Sequence, residues 1–85
     1  MPEISRFLGI VIRMYHRDNA PPHFHAKYGV YEITVEIESG VVAGTFPRRA
    51  LGAVLDWYVE HIAELRLNWN RAVNDEALAR IDPLE

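Results

Sequence analysis

The stretch HFHAKYGVYEITVE, residues 23–36, alternates apolar and polar side chains on both sides of a central Gly29-Val30. Alternation with period two is typical of a strand that buries one face. A two-residue loop that begins with glycine suits a type II′ hairpin. With this loop Phe24 pairs with Val35, and every other pair on the same face is also apolar. The apolar pattern and the turn therefore predict the same antiparallel register.

One further strand is predicted on each side of this hairpin. Residues 9–15 alternate in the same way and precede a loop, residues 17–22, in which two prolines cannot donate to a ladder. Ser39-Gly40 forms a second tight turn, which leads into a strand over residues 41–46. In that register the predicted pairs are Ile37 with Val42, Val35 with Gly44 and Ile33 with Phe46. The sheet, over about residues 9–46, is a four-stranded antiparallel β-meander.

In residues 48–73 the apolar side chains recur with a helical period. Pro47 suits a first helical position, with Thr45 or Phe46 as the cap. The apolar stripe consists of Leu51, Val54, Leu55, Tyr58, Ile62, Leu65 and Trp69. One helix would be about 39 Å long, so either one long helix or two consecutive helices, broken between His61 and Leu67, satisfies the pattern.

The two periodicities together predict an α+β fold in a single domain over residues 1–85. The C-terminal helical segment covers one face of the sheet, and residues 74–85 form a tail that brings Ile81 and Leu84 back onto the body. The other face of the sheet, here called the open face, is left to polar side chains.

Composition excludes several classes of protein. The chain of 85 residues has no cysteine, so disulfides and thiolate metal sites are absent. The formal net charge is −3, whereas a typical DNA-binding domain has an excess of basic residues. No apolar run approaches the roughly 20 residues of a membrane span, and no signal peptide is visible. The sequence predicts a cytoplasmic protein that does not bind a membrane.

The open face carries the residue types that bind a phosphate and transfer a proton beside it. His23 and His25 lie two residues apart on one strand and therefore point the same way. A carboxylate across from His23 would hold one tautomer of the imidazole. The candidate functional patch consists of Arg13, Tyr15, His23, His25, Lys27 and Glu36.

Simpler explanations exist for the same residues. Antiparallel sheets often have one solvated polar face, and Lys27 with Glu32 is typical of a cross-strand ion pair on such a face. Arg48 and Arg49 open the helix, where cations are slightly unfavourable, and they are candidate contacts for a partner or an anion. Two solvated side chains beside Glu and Asp are the simpler explanation of that pair.

No metal site and no cofactor are predicted. His16, His23 and His25 with Asp18 could supply imidazole and carboxylate ligands. However, His16 falls on the parity of the apolar face or at the mouth of the loop, so the ligands are expected to be split between the two faces. The spacing of a zinc finger or of a helical His-Glu site is also missing.

The chain resembles the bacterial domain-of-unknown-function family 4160 over nearly its whole length. Its opening, MPEISRF followed by GIVIRMY at 9–15, resembles the start of that family, and PPHFHA at 21–26 is similar to its central motif. FPRRAL at 46–51, Glu64-Leu65, Asn68-Trp69 and IDPL at 81–84 resemble its helical half and its end. Gly52 and Asn70 depart from the pattern, in which helix-favouring residues are more usual.

The resemblance implies a gene arrangement, and it supplies no catalytic residues. Family members are commonly encoded beside a second small protein in an arrangement that suggests a toxin–antitoxin pair, and some carry a transcription-regulator label. The leading hypothesis is therefore the toxin-like member of such a pair, which binds a small protein partner and acts on RNA through the open face. Two alternatives remain: a non-catalytic protein-binding or regulatory module, for which DNA is a weaker candidate ligand, and a metal-dependent enzyme. Whether the chain is an enzyme is left open.

Overall fold

A computed structural model gives the structure of residues 2–85 as one antiparallel sheet followed by two helices. The strands follow one another across the sheet in the order β1-β2-β3-β4-β5. The elements are β1 (Glu3–Phe7), β2 (Ile10–Arg13), β3 (His23–Tyr28), β4 (Tyr31–Glu36), β5 (Val42–Thr45), α1 (Arg48–Glu60) and α2 (Ile62–Val73). The predicted α+β meander with C-terminal helices is confirmed, and an additional N-terminal strand, β1, extends it.

The additional strand β1 is joined to β2 by a turn whose sequence gives no hairpin signal. Both turn residues have positive φ, 51° at Leu8 and 77° at Gly9. Such turns usually place Asn or Asp before the glycine, because these residues tolerate a left-handed backbone. Because leucine occupies this position, the turn could not be predicted from the sequence. Ile4 and Phe7 nevertheless bury their side chains in the core.

The central hairpin has the predicted register, with Phe24 opposite Val35 and Tyr28 opposite Tyr31. On its other side β3 pairs with β2 so that Ile12 faces Ala26, which brings the apolar side chains of both strands to one face. Because neighbouring residues of a strand point to opposite faces, His23 and His25 lie on the face away from this core.

The predicted register between β4 and β5 is wrong by two residues. Val35 faces Val42 and Ile33 faces Gly44, and residues 37–41 connect the two strands rather than Ser39-Gly40 alone. The reason is that Ile37 leaves the ladder: its amide donates to the Pro22 carbonyl oxygen at 3.0 Å, and its own carbonyl accepts from the Tyr58 hydroxyl at 2.6 Å. A shift of two residues leaves every side chain on its predicted face.

The helices cover the apolar face of the sheet and break at His61. α1 begins at Arg48, as the predicted span of 48–73 requires, but its cap residue is Pro47 rather than Thr45 or Phe46, and Pro47 makes no side-chain capping bond. Trp57, which is not part of the predicted stripe, is fully buried against Phe24 and Phe7. In residues 2–85 neither helix has the length and apolar character that crossing a membrane requires.

Residues 74–85 return to the body in the predicted manner. The Ile81 amide donates to the carbonyl oxygen of Ile4 in β1 at 2.8 Å, and the Ile81 side chain is buried. Asn68 is also buried, and its side-chain amide donates to the Ala79 carbonyl while its oxygen accepts from the Ala79 amide. These bonds fix the tail across the end of α2 and along β1.

Candidate functional site

Strand β3 and the loop that precedes it build a compact polar cluster on the open face. Phe24 and Ala26 point into the core, so the alternation of the strand turns His23 and His25 to the other face. The loop between β2 and β3 then folds back and brings Asp18 onto the two imidazoles. We call Asp18, His23 and His25 the histidine–aspartate cluster.

One carboxylate oxygen is the centre of this cluster. The Oδ2 atom of Asp18 lies 3.0 Å from Nε2 of His23 and 3.1 Å from Nε2 of His25. The three side chains are 24%, 14% and 19% exposed, respectively. They are thus largely shielded from water, and the contacts among them are stronger than the same contacts would be on a fully solvated surface.

The outward nitrogen of each imidazole also faces an oxygen. Nδ1 of His23 lies 2.8 Å from the Pro21 carbonyl oxygen. Nδ1 of His25 lies 3.4 Å from Oε2 of Glu32, and this buried nitrogen makes no hydrogen bond within residues 2–85. Both rings therefore lie between two oxygen atoms, and the outer hydrogen bond fixes the ring plane of His23 alone.

The cluster favours the ionised form of Asp18. Partial burial opposes that form, but the hydrogen bond from His25, the Asn19 amide and the charges of His23 and His25 outweigh it and lower the pKa of Asp18. A carboxylate between two imidazole nitrogens can transfer protons or hold a cation. A group of three such ligand atoms, all within 4.8 Å of one another, is formed by these residues.

The remaining residues of the predicted patch divide into near and distant members. Arg13 is opposite His25 in the sheet, and the ring of Tyr15 packs edge-on against His25 at 4.6 Å between centroids. Lys27 is opposite Glu32 farther along β3 and is exposed, but the expected cross-strand ion pair is not formed within residues 2–85. Glu36 faces His23 across the sheet, and its carboxylate accepts from the Ser39 hydroxyl at 3.0 Å.

Two features of the cluster differ from the sequence expectation. The histidines and Arg13 are half-buried rather than freely exposed, because the loop carrying Asp18 covers them. Among the histidines considered as ligands, His16 alone lies apart: its Nε2 donates to the Glu76 carbonyl at 2.8 Å. Asp18, His23 and His25 therefore share one face, and the assumption that the ligands are split between faces fails for these three.

A second surface lies where the β1–β2 and β3–β4 turns meet the start of α1. We call Leu8, Tyr28, Val30 and Tyr31 the hairpin end. All four side chains are exposed, Val30 by 93% and Leu8 by 72%. A shallow cavity beside them is lined by Leu8, Ile10, Tyr28, Arg49, Ala50 and Ala53. Arg48 and Arg49 are exposed here, and neither makes an ion pair within residues 2–85.

Comparison with known proteins gives one match. Residues 9–70 match the family described as "Domain of unknown function (DUF4160)". No curated protein and no solved structure matches the chain. The matched segment contains all of the histidine–aspartate cluster, and it ends within α2.

Proposed function

We propose that this chain, which belongs to the DUF4160 family, is a small protein-binding domain and the toxin-like member of a bacterial toxin–antitoxin-like pair. The pairing rests on the gene arrangement that the family resemblance implies. The observation that carries the binding function is the hairpin end, where large apolar side chains are exposed together around a cavity.

The hairpin end is a continuous surface rather than a set of separate apolar residues. Tyr28 and Tyr31 are paired across the hairpin, with Val30 in the turn between them. The backbone at Gly9 approaches the Tyr28 ring closely, since a Cβ there would lie 3.3 Å from it. Leu8 is therefore adjacent to Tyr28. Single exposed apolar residues are ordinary, whereas a contiguous group of them marks an interaction site.

The charges next to the hairpin end support an acidic partner. Arg48 and Arg49 lie in the first turn of α1, which holds no acidic residue. The amides of that turn add a partial positive charge. A partner segment that places an apolar side chain in the cavity and a carboxylate against Arg49 complements both features. The partner we propose is a small protein with such an acidic, apolar segment.

RNA has less support as a ligand of the open face. Glu32 lies opposite Lys27, and Asp18 lies against the histidines beside Arg13. These carboxylates offset the cations that would bind a phosphate backbone. We therefore place the proposed interaction at the hairpin end and treat RNA binding as an alternative outcome of the experiment.

The proposal is tested by expressing the chain alone and together with the product of the adjacent gene. We expect growth arrest in the first case, relief in the second and co-elution of the two purified proteins. A Leu8→Ser/Val30→Ser variant should lose co-elution and keep its melting temperature, because both side chains are exposed. Val59→Ser/Leu67→Ser removes one valine and one leucine that are exposed on the helices and is the matched control.

Three results would contradict the proposal. One is undiminished co-elution of the Leu8→Ser/Val30→Ser variant, and another is equal loss in the helix control. The third is binding of RNA fragments without binding of any protein, which would indicate that the open face is the functional surface.

A further inference from the structure

His23 makes two contacts with oxygen atoms, but its neutral imidazole carries only one ring hydrogen. A carbonyl oxygen only accepts, so the 2.8 Å contact with Pro21 requires the hydrogen of the neutral ring to be on Nδ1. The Nε2 atom then presents its lone pair to Oδ2 of Asp18 at 3.0 Å. Two acceptors at this distance repel each other unless a second proton or another cation lies between them.

His25 contacts the same carboxylate oxygen. Its Nδ1 faces the Glu32 carboxylate, and its Nε2 faces Oδ2 of Asp18 at 3.1 Å. Protons satisfy both contacts if His25 carries its hydrogen on Nε2 and His23 carries a second proton, with the ring centroids 5.1 Å apart. One cation bound to Oδ2 and to both Nε2 atoms satisfies both contacts at once.

From this geometry we propose that Asp18, His23 and His25 bind one divalent first-row transition-metal ion. Two imidazole nitrogens and one carboxylate oxygen form a ligand set that suits zinc, iron, cobalt or nickel. Ligand atoms about 2.1 Å from a metal are about 3.0 Å apart when they occupy neighbouring octahedral positions. The two measured separations from Oδ2 agree with this spacing.

The surroundings of the three ligands have the features of a metal site. Metal-binding histidines usually donate their other ring hydrogen to a carbonyl or a carboxylate, which fixes the tautomer. Pro21 is such a partner for His23, and the Glu32 carboxylate lies 3.4 Å from Nδ1 of His25 without a hydrogen bond. A metal on Nε2 would require the hydrogen of His25 to be on Nδ1, facing Glu32, so Glu32 is the positioning residue of His25 in the metal-bound form.

The proposed site is open on one side. A cleft of about 310 Å³ lies over Asp18 and His23, with Asn19, Pro21 and Thr34 among its walls. Three protein ligands and an accessible side are characteristic of metal ions that keep positions for water or another ligand, whereas structural zinc sites use four protein ligands.

Metal titration of the chelator-treated protein tests the proposal directly. Zn²⁺ is added in competition with a colorimetric chelator, and Co²⁺ is added in a second experiment that records its visible absorption. We expect one equivalent of either ion to bind and Mg²⁺ to compete weakly, because imidazole favours transition metals. His23→Gln and His25→Gln should each lower Zn²⁺ affinity by more than about 100-fold, and Glu32→Gln by about 10- to 100-fold.

His16→Gln is the matched control, because it removes a histidine that lies outside the cluster. Its Zn²⁺ affinity should equal that of the unaltered chain. Glu32→Gln keeps the test decisive if a ligand variant fails to fold, since Glu32 is half-exposed. Binding of less than one equivalent, equal affinities for His16→Gln and His25→Gln, or an unchanged affinity in Glu32→Gln would overturn the proposal.

Discussion

Gly44 and Gly52 have opposite surroundings, and alanine should have opposite effects at the two positions. Gly44 has φ of +106°, and a Cβ there would lie 2.5 Å from the Glu32 carbonyl oxygen. Gly52 is helical and has nothing within 4 Å of that position. Gly52→Ala should raise the free energy of unfolding by about 0.5–1 kcal/mol. Gly44→Ala should lower it by more than about 1 kcal/mol.

Urea unfolding of the two variants measures these changes. The two glycines control for each other, since each substitution adds the same methyl group. A Gly44→Ala variant as stable as the unaltered chain would show that β5 can shift away from Glu32. The register described for β4 and β5 would then not be the one present in solution.

Single residues also determine how much of the candidate site the sequence reveals. Alternation alone places His23 and His25 on one face, because strand geometry fixes the direction of every second side chain. It says nothing about Asp18, whose position depends on the path of an irregular loop. The Asp18 carboxylate accepts from the Asn19 amide at 2.8 Å, a local turn contact that is common and gives no indication of the distant histidines.

Turns decide which parts of the fold could be predicted. The Gly29-Val30 turn has a recognisable glycine, and both strands beside it were placed in the correct register. The Leu8-Gly9 turn has leucine at a positive φ, so β1 was not predicted. Between β4 and β5 the loop length depends on Ile37, which is drawn from the ladder by Pro22 and Tyr58. These are contacts between distant segments, and periodicity contains no information about them.

The attachment of the tail to β1 should depend on pH through Glu3. Hydrogen bonds from Arg6 and Arg80 lower the pKa of Glu3 from 4.5 to about 2. A carboxyl group with a lowered pKa stabilises the fold above its unfolded pKa, and this contribution is lost as the pH falls through its folded pKa. The contribution of Glu3 should therefore be complete above about pH 5 and disappear toward pH 2.

Thermal melting of Glu3→Gln between pH 6 and pH 2 tests this expectation. The melting temperature of the variant should fall less on acidification than that of the unaltered chain. Asp56→Asn is the matched control, since Asp56 is exposed and makes no ion pair within residues 2–85. If Glu3→Gln and Asp56→Asn respond to acid alike, Glu3 has no special role in holding the tail.

At the scale of the whole molecule, the tail connects the two layers of the fold. The Trp57 indole donates to the Asp82 carbonyl at 2.8 Å, while the Ile81 amide donates to β1. A chain of this length buries only about 60% of the surface that its unfolded form exposes. The few buried contacts of the tail are therefore a substantial part of its stability.

The tail also protects one edge of the sheet. β1 and β5 are the two edge strands, and unpaired backbone groups along an edge can pair with another chain. Arg80 and Ile81 lie along β1, where the Arg80 guanidinium contacts Glu3 at 3.1 Å. Removing the tail would expose the edge at β1 and the indole of Trp57 together.

A chain ended after Glu76 should therefore be much less stable and should self-associate. We expect a lower melting temperature, a red shift of tryptophan emission as Trp57 contacts water, and a concentration-dependent increase in sedimentation rate as β1 edges pair. Arg80→Gln is the control, because it removes the ion pair to Glu3 and leaves the backbone bond of Ile81 in place. An exposed ion pair contributes at most about 1 kcal/mol, so this variant should stay monomeric with an unshifted emission. If the shortened chain instead melts like the unaltered one, the contacts of Ile81 and Asp82 do not stabilise the sheet, and β1 must be held by its pairing with β2 and by the burial of Ile4 and Phe7.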